Sequence, residues 1–299
     1  MMAARQLSPW QGELLLDEPM ARHTSWRVGG PARRYFRPAS ADDLAAFLAS
    51  LPEDEPLYWV GLGSNLLVRD GGIAGTVIAT SGVLDGIERL ADERVLVECG
   101  VACAKVARFC AREGLAGAEF LCGIPGTMGG ALAMNAGCFG GETWPLVARV
   151  ETIDRLGQRR WREACEYQVG YRHVQGPAGE WFLRAELQLQ TGDAERLLEA
   201  NRVLLARRGD SQPTKMPNAG SVFRNPPGDY AARLIESAGL KGQRYGGAEV
   251  SEKHANFIVN TGQASAADIE QLIDEVRAEV ARVHGVMLQT EVCIVGEST

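Results

Sequence analysis

Residues 120–142 read FLCGIPGTMGGALAMNAGCFGGE, a stretch with seven glycines and no charge before Glu142. An uncharged run of this length first raises a membrane-spanning helix. Pro125, Asn135 and the glycines argue against one. Only short apolar pieces separate these helix breakers, and a lipid-facing backbone would be poorly packed and costly to form. The run therefore predicts a buried loop system. Met1 to Trp10 holds no sustained apolar core of the kind a signal peptide needs, which predicts a cytoplasmic protein without membrane insertion.

A chain of 299 residues, 45% of them hydrophobic, can bury substantial cores and predicts two or three lobes. Its formal charge of -7 disfavours nonspecific nucleic-acid binding, which needs a basic surface, yet leaves room for a locally basic site holding a small anion. The seven cysteines are odd in number and none stands in a C-x-x-C pair. They predict buried free thiols, with neither a disulfide framework nor a zinc site, and no metal is expected.

Asp42 to Leu51 has helical spacing, and LYWVG (57–61), TVIAT (76–80) and RVLVECG (94–100) read as strands. Cys103 to Glu113 reads as a helix stopped by Gly114. In WFLRAELQLQ, Leu183, Ala185, Leu187 and Leu189 alternate with Arg184, Glu186, Gln188 and Gln190, as in a sheet with one wet face. Asp193 can cap a helix leaving that sheet, and a domain boundary is expected there. Beyond it, Tyr230 to Ala238 predicts a helix and NFIVN a strand. Ser265 and Asp268 resemble a capping box opening a helix with Ile269, Leu272, Ile273, Val276, Val280 and Val283 on one face, a core stripe. VMLQTEVCIVG closes the chain as a strand pattern.

Glycine-rich loops let backbone N–H groups approach a ligand, commonly phosphate. GLGSNLLV (61–68) and the 120–142 run both qualify. Gly61 and Gly63 supply G-x-G, but Leu66 stands where a dinucleotide fingerprint needs glycine, and no G-K-S/T exists for a P-loop. Spacing alone leaves ligand binding and two tight structural turns equally open.

The order of seven motifs is more specific. HTSWRVGGPARRYFRP, GLGSNLLVRDGGIAGTVI, GIPGTMGGALAMNAGCFGGE, GYRHV, NAGSVFRNP, AGLKGQRYGGAEVSEKHANFIVN and TEVCIVG together resemble the UDP-N-acetylenolpyruvoylglucosamine reductase family, from about His23 to Gly296. The resemblance implies an α+β chain with an FAD-binding fold of the vanillyl-alcohol-oxidase type in two lobes, plus a C-terminal α+β substrate-binding domain. Expected boundaries are 1–80 and 81–193 for the lobes, 194–285 for the substrate domain and 286–299 for a terminal strand returning to the lobes. The short interval between Arg172 and Trp181 resembles the short-form branch that lacks an extra lid loop.

By the same resemblance, FAD is bound noncovalently and NADPH is the hydride donor. Gly61, Gly63, Ser64, Asn65 and Leu66 are expected at the pyrophosphate, and Gly123, Gly126, Thr127, Gly129, Gly130, Asn135 and Gly137 along the flavin. Bare backbone would let both groups come close. The family reduces UDP-N-acetylglucosamine enolpyruvate, which needs a cation or acid to support an enolate and a proton donor at its α-carbon. Arg172 and Glu291 match the first role and Ser221 the second. Tyr171, Arg208, Asn225, Lys241 and His254 fall on or beside positions that contact the substrate, and cations suit its diphosphate. Ser211 stands before Gln212 and Pro213 where the family often has lysine, so a substrate or nucleotide cation is either lost there or supplied by Lys215. No protein partner is implied.

Without the resemblance, each catalytic candidate has an ordinary account: Arg172 as a loop charge, Ser221 as a turn residue, and Glu291, sharing a strand face with Gln289, as a solvent-facing carboxylate. Two rival functions remain at this stage. An FAD-linked oxidase of the same superfamily often tethers its flavin through histidine, and no histidine lies between His23 and His173. A non-catalytic nucleotide-sugar binding protein leaves the Arg, Ser and Glu matches unexplained.

Overall fold

The first sheet grows from short β-branched and aromatic runs linked by one amphipathic segment. In the computed structural model, which describes residues 10–298, its strand order is Glu13–Pro19, Pro31–Arg37, Ile73–Ala79, Leu57–Val60. The first pair is antiparallel and the other two are parallel. Helix α1 (Ala41–Ser50) joins two of the parallel strands, and its cap Ser40 accepts from the Asp43 amide at 3.1 Å. Its own Leu44 and Phe47 pack with Phe36 and Ile78 of the sheet, in a core that continues into the second lobe through Cys99, Ile153 and Leu183. The segment 1–9, read above for a signal peptide, lies outside the described residues.

The second lobe is an antiparallel sheet ordered Arg159–Glu163, Val147–Asp154, Glu180–Gln188, Arg94–Glu98, Ile87–Arg89. Helices α2 (Cys103–Arg112) and α3 (Met128–Met134) contribute to the core that also holds Val95, Val97, Val150, Ala185 and Leu187. The opposite face is polar, as the alternation requires, but it is not uniformly wet. Glu186 is only 2% exposed, because Arg94 and Arg149 reach it at 2.6 and 2.9 Å. Long arginine stems lie along a sheet and exclude water while their charges stay paired. Four cysteines, Cys99, Cys103, Cys110 and Cys122, are buried as expected, whereas Cys165 and Cys293 are exposed.

The glycine-rich run contains more regular structure than a loop system. It forms a 3₁₀ turn at Glu119–Gly123, then α3, then a small ladder of Gly137–Cys138 with Gly141–Glu142. Gly129 sits within α3 despite its poor helix propensity, since its N–H donates to the Cys99 carbonyl at 2.8 Å. Asp193 caps α4 (Ala194–Ser211) through the Arg196 amide at 2.9 Å. This helix turns back onto the second lobe: buried Asn201 donates to the Ala107 carbonyl of α2 at 3.2 Å. Packing thus joins α4 to lobe two, where the sequence reading begins the substrate domain.

The C-terminal unit holds α5 (Ala231–Ser237), a sheet of Arg244–Tyr245, Ala248–Val250 and Ile258–Asn260, and α6 (Ala266–His284). The capping box forms, with Ser265 Oγ accepting from the Asp268 amide at 3.0 Å and Asp268 Oδ2 from the Ser265 amide at 3.0 Å. Ile269, Leu272, Ile273, Val276 and Val280 are buried, but Val283 is 42% exposed because the last turn runs past the core. Several contacts tie the units together, among them the following. Trp26 inserts its fully buried ring into the C-terminal core, and its Nε1 donates to the Ile258 carbonyl at 2.8 Å. The Asp70 carboxylate accepts from the first amides of α6, Ala266 and Ala267, at 3.0 and 2.9 Å. Cys293–Val295 pairs in parallel with Leu66–Val68, so the chain end returns to the first lobe.

Candidate active site

That return positions Glu291. Its N–H donates to the Val222 carbonyl at 2.8 Å, and Asn65 Nδ2 donates to its carbonyl at 3.1 Å. Regular pairing to Leu66–Val68 starts only at Cys293, so strand periodicity does not govern the Glu291 side chain, and the solvent-facing account fails. Arg172 Nε donates to Glu291 Oε1 at 2.8 Å, with the two side chains 18% and 14% exposed. Arg172 also donates to the Gly137 carbonyl at 3.0 Å and to the Asn135 carbonyl at 3.4 Å. It lies over the Tyr171 ring at 5.2 Å, from a left-handed backbone with φ of 52°. Burial pushes the Glu291 carboxyl above its ordinary range, and the nearby Arg172 and Arg224 charges pull it back only in part.

Ser221 immediately precedes Val222, whose carbonyl holds the Glu291 amide, so the serine and the carboxylate share one backbone frame. Arg224 belongs to the same frame: its amide donates to the Gln289 carbonyl at 2.9 Å, and its buried Nε has no hydrogen-bond partner among the described residues.

The glycines divide into two kinds. A Cβ on Gly61 would overlap Thr127 Oγ1, and one on Gly63, already at φ +60°, would overlap the His23 carbonyl. At Gly123 it would lie 2.7 Å from Cys138 Sγ, at Gly129 3.0 Å from Cys99 Cβ, and at Gly137 3.1 Å from Glu142 Cγ. These glycines serve the protein's own packing. Gly126 and Gly130 differ, since the nearest atoms to an added Cβ are 3.5 and 4.0 Å away. Asn135 is also consumed internally: it ends α3 in a left-handed conformation, donates to Glu142 Oε2 and the Gly170 carbonyl, and accepts from the Trp144 amide. Thr127, the N-terminal cap residue of α3, is buried.

The two loops fit FAD by their remaining backbone. Among the described residues, the N–H groups of Leu62, Gly63, Ser64 and Asn65 find no acceptor, although the carbonyls of Gly63 and Asn65 are both engaged. Runs of free amides are the usual means of holding a phosphate, so these four are available to a pyrophosphate. Gly126 and Gly130 leave the neighbouring surface open to a flat ring, and Ser64 Oγ faces Gly126. Burial pushes the Cys99, Cys103 and Cys110 thiols up to about 12, which keeps them inert.

Beside these loops lies a cleft of about 460 Å³, whose lining includes Ser25, Leu62, Ser64, Pro125, Lys215 and Phe257. Of the five substrate-binding candidates only Arg208 lines it, and burial lowers the basicity of that guanidinium. Tyr171 is held beside Arg172. Asn225 accepts from the Ala231 amide at the start of α5, while Lys241 pairs at 2.7 Å with Glu236 near its end. His254 packs edge-on against Phe257, and burial depresses its pKa. Sequence reasoning assigned no role to Arg27, which lines the same cleft. Its only sequence signal is its place before Gly29 and Gly30 in the first motif.

Comparison with known proteins places the chain in a family. A family model described as "FAD binding domain" matches residues 32–161. Another, described as "UDP-N-acetylenolpyruvoylglucosamine reductase, C-terminal domain", matches residues 212–295, beginning where α4 ends. The UDP-N-acetylenolpyruvoylglucosamine reductase of Alkalilimnicola ehrlichii is 63% identical over 298 residues, covering 100% of this chain and 99% of that protein. That of Methylococcus capsulatus is 61% identical over 296 residues, covering 99% and 97%. The crystal structure of the Thermus caldophilus reductase superposes with a TM-score of 0.79 at 34% identity, covering 95% of this chain and 98% of that one. With both domain models in order and near-complete coverage of its relatives, the chain belongs to the UDP-N-acetylenolpyruvoylglucosamine reductase family.

Proposed function

We propose that Arg172, Glu291 and Ser221 are the catalytic groups of an FAD-dependent oxidoreductase that uses NADPH to reduce UDP-N-acetylglucosamine enolpyruvate to UDP-N-acetylmuramate, for peptidoglycan precursor synthesis. The observation that carries these roles is the Arg172–Glu291 contact at 2.8 Å, which joins two motifs distant in sequence beside the glycine loops. Both NADPH and a nucleotide sugar are cytoplasmic metabolites, which is the ground for placing the reaction in the cytoplasm. Among the described residues no helix is long and apolar enough to cross a membrane.

Bound FAD supplies the means of carrying hydride from NADPH to the methylene carbon of the enolpyruvyl double bond. The residues manage the charge that results. As the C=C bond is reduced, negative charge develops over the α-carbon and the substrate carboxylate. Arg172, fixed by two backbone carbonyls and Glu291, keeps part of its guanidinium free to hold that carboxylate. Glu291, raised by burial, is suited to carry a proton against the same group instead of a repelling charge. The Ser221 hydroxyl gives its proton to the α-carbon, completing the lactyl ether of the second half-reaction. Ser221 acts from the C-terminal unit and Arg172 from lobe two, so the site is assembled between units.

The test begins with the visible spectrum and NADPH consumption of the purified protein. Flavin released on denaturation, and NADPH oxidation that depends on the enolpyruvyl sugar, are expected. Oxygen-driven oxidation unaffected by the sugar would identify an oxidase instead, and a colourless protein that FAD does not reconstitute would end the reading.

A further inference from the structure

The cleft is lined by three cations, Arg27, Arg208 and Lys215, and by no carboxylate, on a chain whose formal charge is -7. Arg208 bonds the Gln212 side-chain oxygen at 3.0 Å. Arg27 and Lys215 make no ion pair among the described residues. Arg27 also has a left-handed backbone, with φ of 60°. A residue with a Cβ holds that conformation only where its surroundings impose it, and such positions cluster where ligands are gripped.

The surroundings here are explicit. The Arg27 amide donates to the Thr24 carbonyl at 3.0 Å, and Thr24 Oγ1 donates to the Val28 carbonyl at 2.7 Å. Next door, the Ser25 amide donates to the Gly63 carbonyl at 3.1 Å, and Ser25 Oγ donates to the Asn218 carbonyl at 2.6 Å. Buried Trp26 pins the turn to the C-terminal core. The turn is therefore held by the glycine loop on one side and the C-terminal unit on the other. Arg27 is presented from it with no carboxylate partner among the described residues.

We infer that Arg27, together with Lys215, forms a phosphate subsite for the anionic ligands that take turns in this cleft. The chemistry required is a phosphoryl group, carried either by the NADPH donor or by the diphosphate of the nucleotide sugar. The inference rests on the reaction proposed above and adds a residue to it. An arginine presented by a rigid turn suits this task, because little ordering is left to lose when its planar fork closes on phosphate oxygens.

The test uses the oxidised holoenzyme and follows the flavin absorbance on addition of NADP⁺, NAD⁺ or UDP-N-acetylglucosamine. Arg27→Asn removes the charge while keeping a residue that tolerates the left-handed backbone, and Arg27→Lys restores the charge. Loss of one charge-assisted phosphate contact predicts affinity weakened roughly 10- to 100-fold in Arg27→Asn, with partial recovery in Arg27→Lys. Weakening for NADP⁺ but not NAD⁺ assigns the subsite to the donor's 2′-phosphate. Weakening for the sugar nucleotide alone assigns it to that diphosphate, and weakening for all three marks a shared diphosphate position. Unchanged affinities, or a weaker hold on flavin with ligand affinities unchanged once excess FAD restores the holoenzyme, would overturn the subsite. A wild-type holoenzyme that binds these ligands yet never reduces the enolpyruvyl sugar would count against the reaction, whatever Arg27→Asn does.

Discussion

Arg172 Nε donates to Glu291 Oε1 at 2.8 Å across a separation of 119 residues. One partner comes from a left-handed turn of the second lobe, the other from the chain end after it has crossed the C-terminal unit. The guanidinium fixes the carboxyl in place, while burial makes the charged form of that carboxyl unfavourable. The pair therefore brings a fixed cation and a carboxyl that favours its protonated form to one place between the units.

The first prediction concerns pH. The folded-state pKa of Glu291 lies above its ordinary value of 4.5. Between those two values the folded protein keeps a proton that the unfolded chain has lost, so stability falls as pH rises through the window and the loss persists above it. Glu291→Gln still offers an oxygen to Arg172 but cannot ionise. Urea unfolding over a pH series is expected to show a shallower decline for Glu291→Gln than for wild type. Identical slopes would mean that the carboxyl titrates normally.

Ser221→Ala separates the proton from the hydride. The NADPH half-reaction involves no proton to carbon and is expected to stay near the wild-type rate. Reoxidation by the enolpyruvyl sugar is expected to slow by roughly 10² to 10⁴. Stopped-flow absorbance resolves the halves, and equal slowing of both, or of neither, would remove Ser221 from the mechanism.

Two glycines separate packing from ligand approach. Gly61→Ala drives a methyl into buried Thr127 and is expected to cost about 1–3 kcal/mol of stability, as overpacking does. Gly126→Ala meets only ordinary contacts at 3.5 Å or beyond, so its flavin-free form is expected to unfold like the parent while retaining FAD less tightly. Thermal unfolding and flavin retention on a desalting column read the two effects. A Gly126→Ala protein that keeps its flavin as well as wild type would place the ring elsewhere.

Trp26→Ala is expected to cost about 3–5 kcal/mol, the usual penalty for emptying a large buried aromatic site. Because that ring joins the first lobe to the C-terminal core, the loss is expected to appear as faster proteolysis around residues 212–218 before the lobes unfold. Cleavage and urea curves matching wild type would show that the remaining contacts, including those of Asp70, Arg69 with Glu270 and Cys293–Val295, suffice without it.

Local sequence determined the elements. Ser40, Asp193 and Ser265 cap the helices they precede, and the apolar periods at Ile269–Val280 and Leu183–Leu187 bury the residues they select. Those features depend on near neighbours, so a single sequence carries them, and the ordered motifs were enough to identify the family. Tertiary structure decided the rest. Glu186 alternates like a wet-face residue but is buried, because Arg94 and Arg149 come from other strands. Most glycines of the two loops are required by what the fold packs against them, whereas an added Cβ would meet only ordinary contacts at Gly126 and Gly130 and nothing within 4 Å at Gly140. Arg27 acquires its place in the cleft from Trp26 and Ser25, whose partners lie in the C-terminal unit. Glu291 turns from a strand residue into half of a buried pair because its partner is distant in the chain and its burial is a property of the assembled interface. Propensity and period encode contacts a few residues away; burial and charge pairing depend on which surfaces meet.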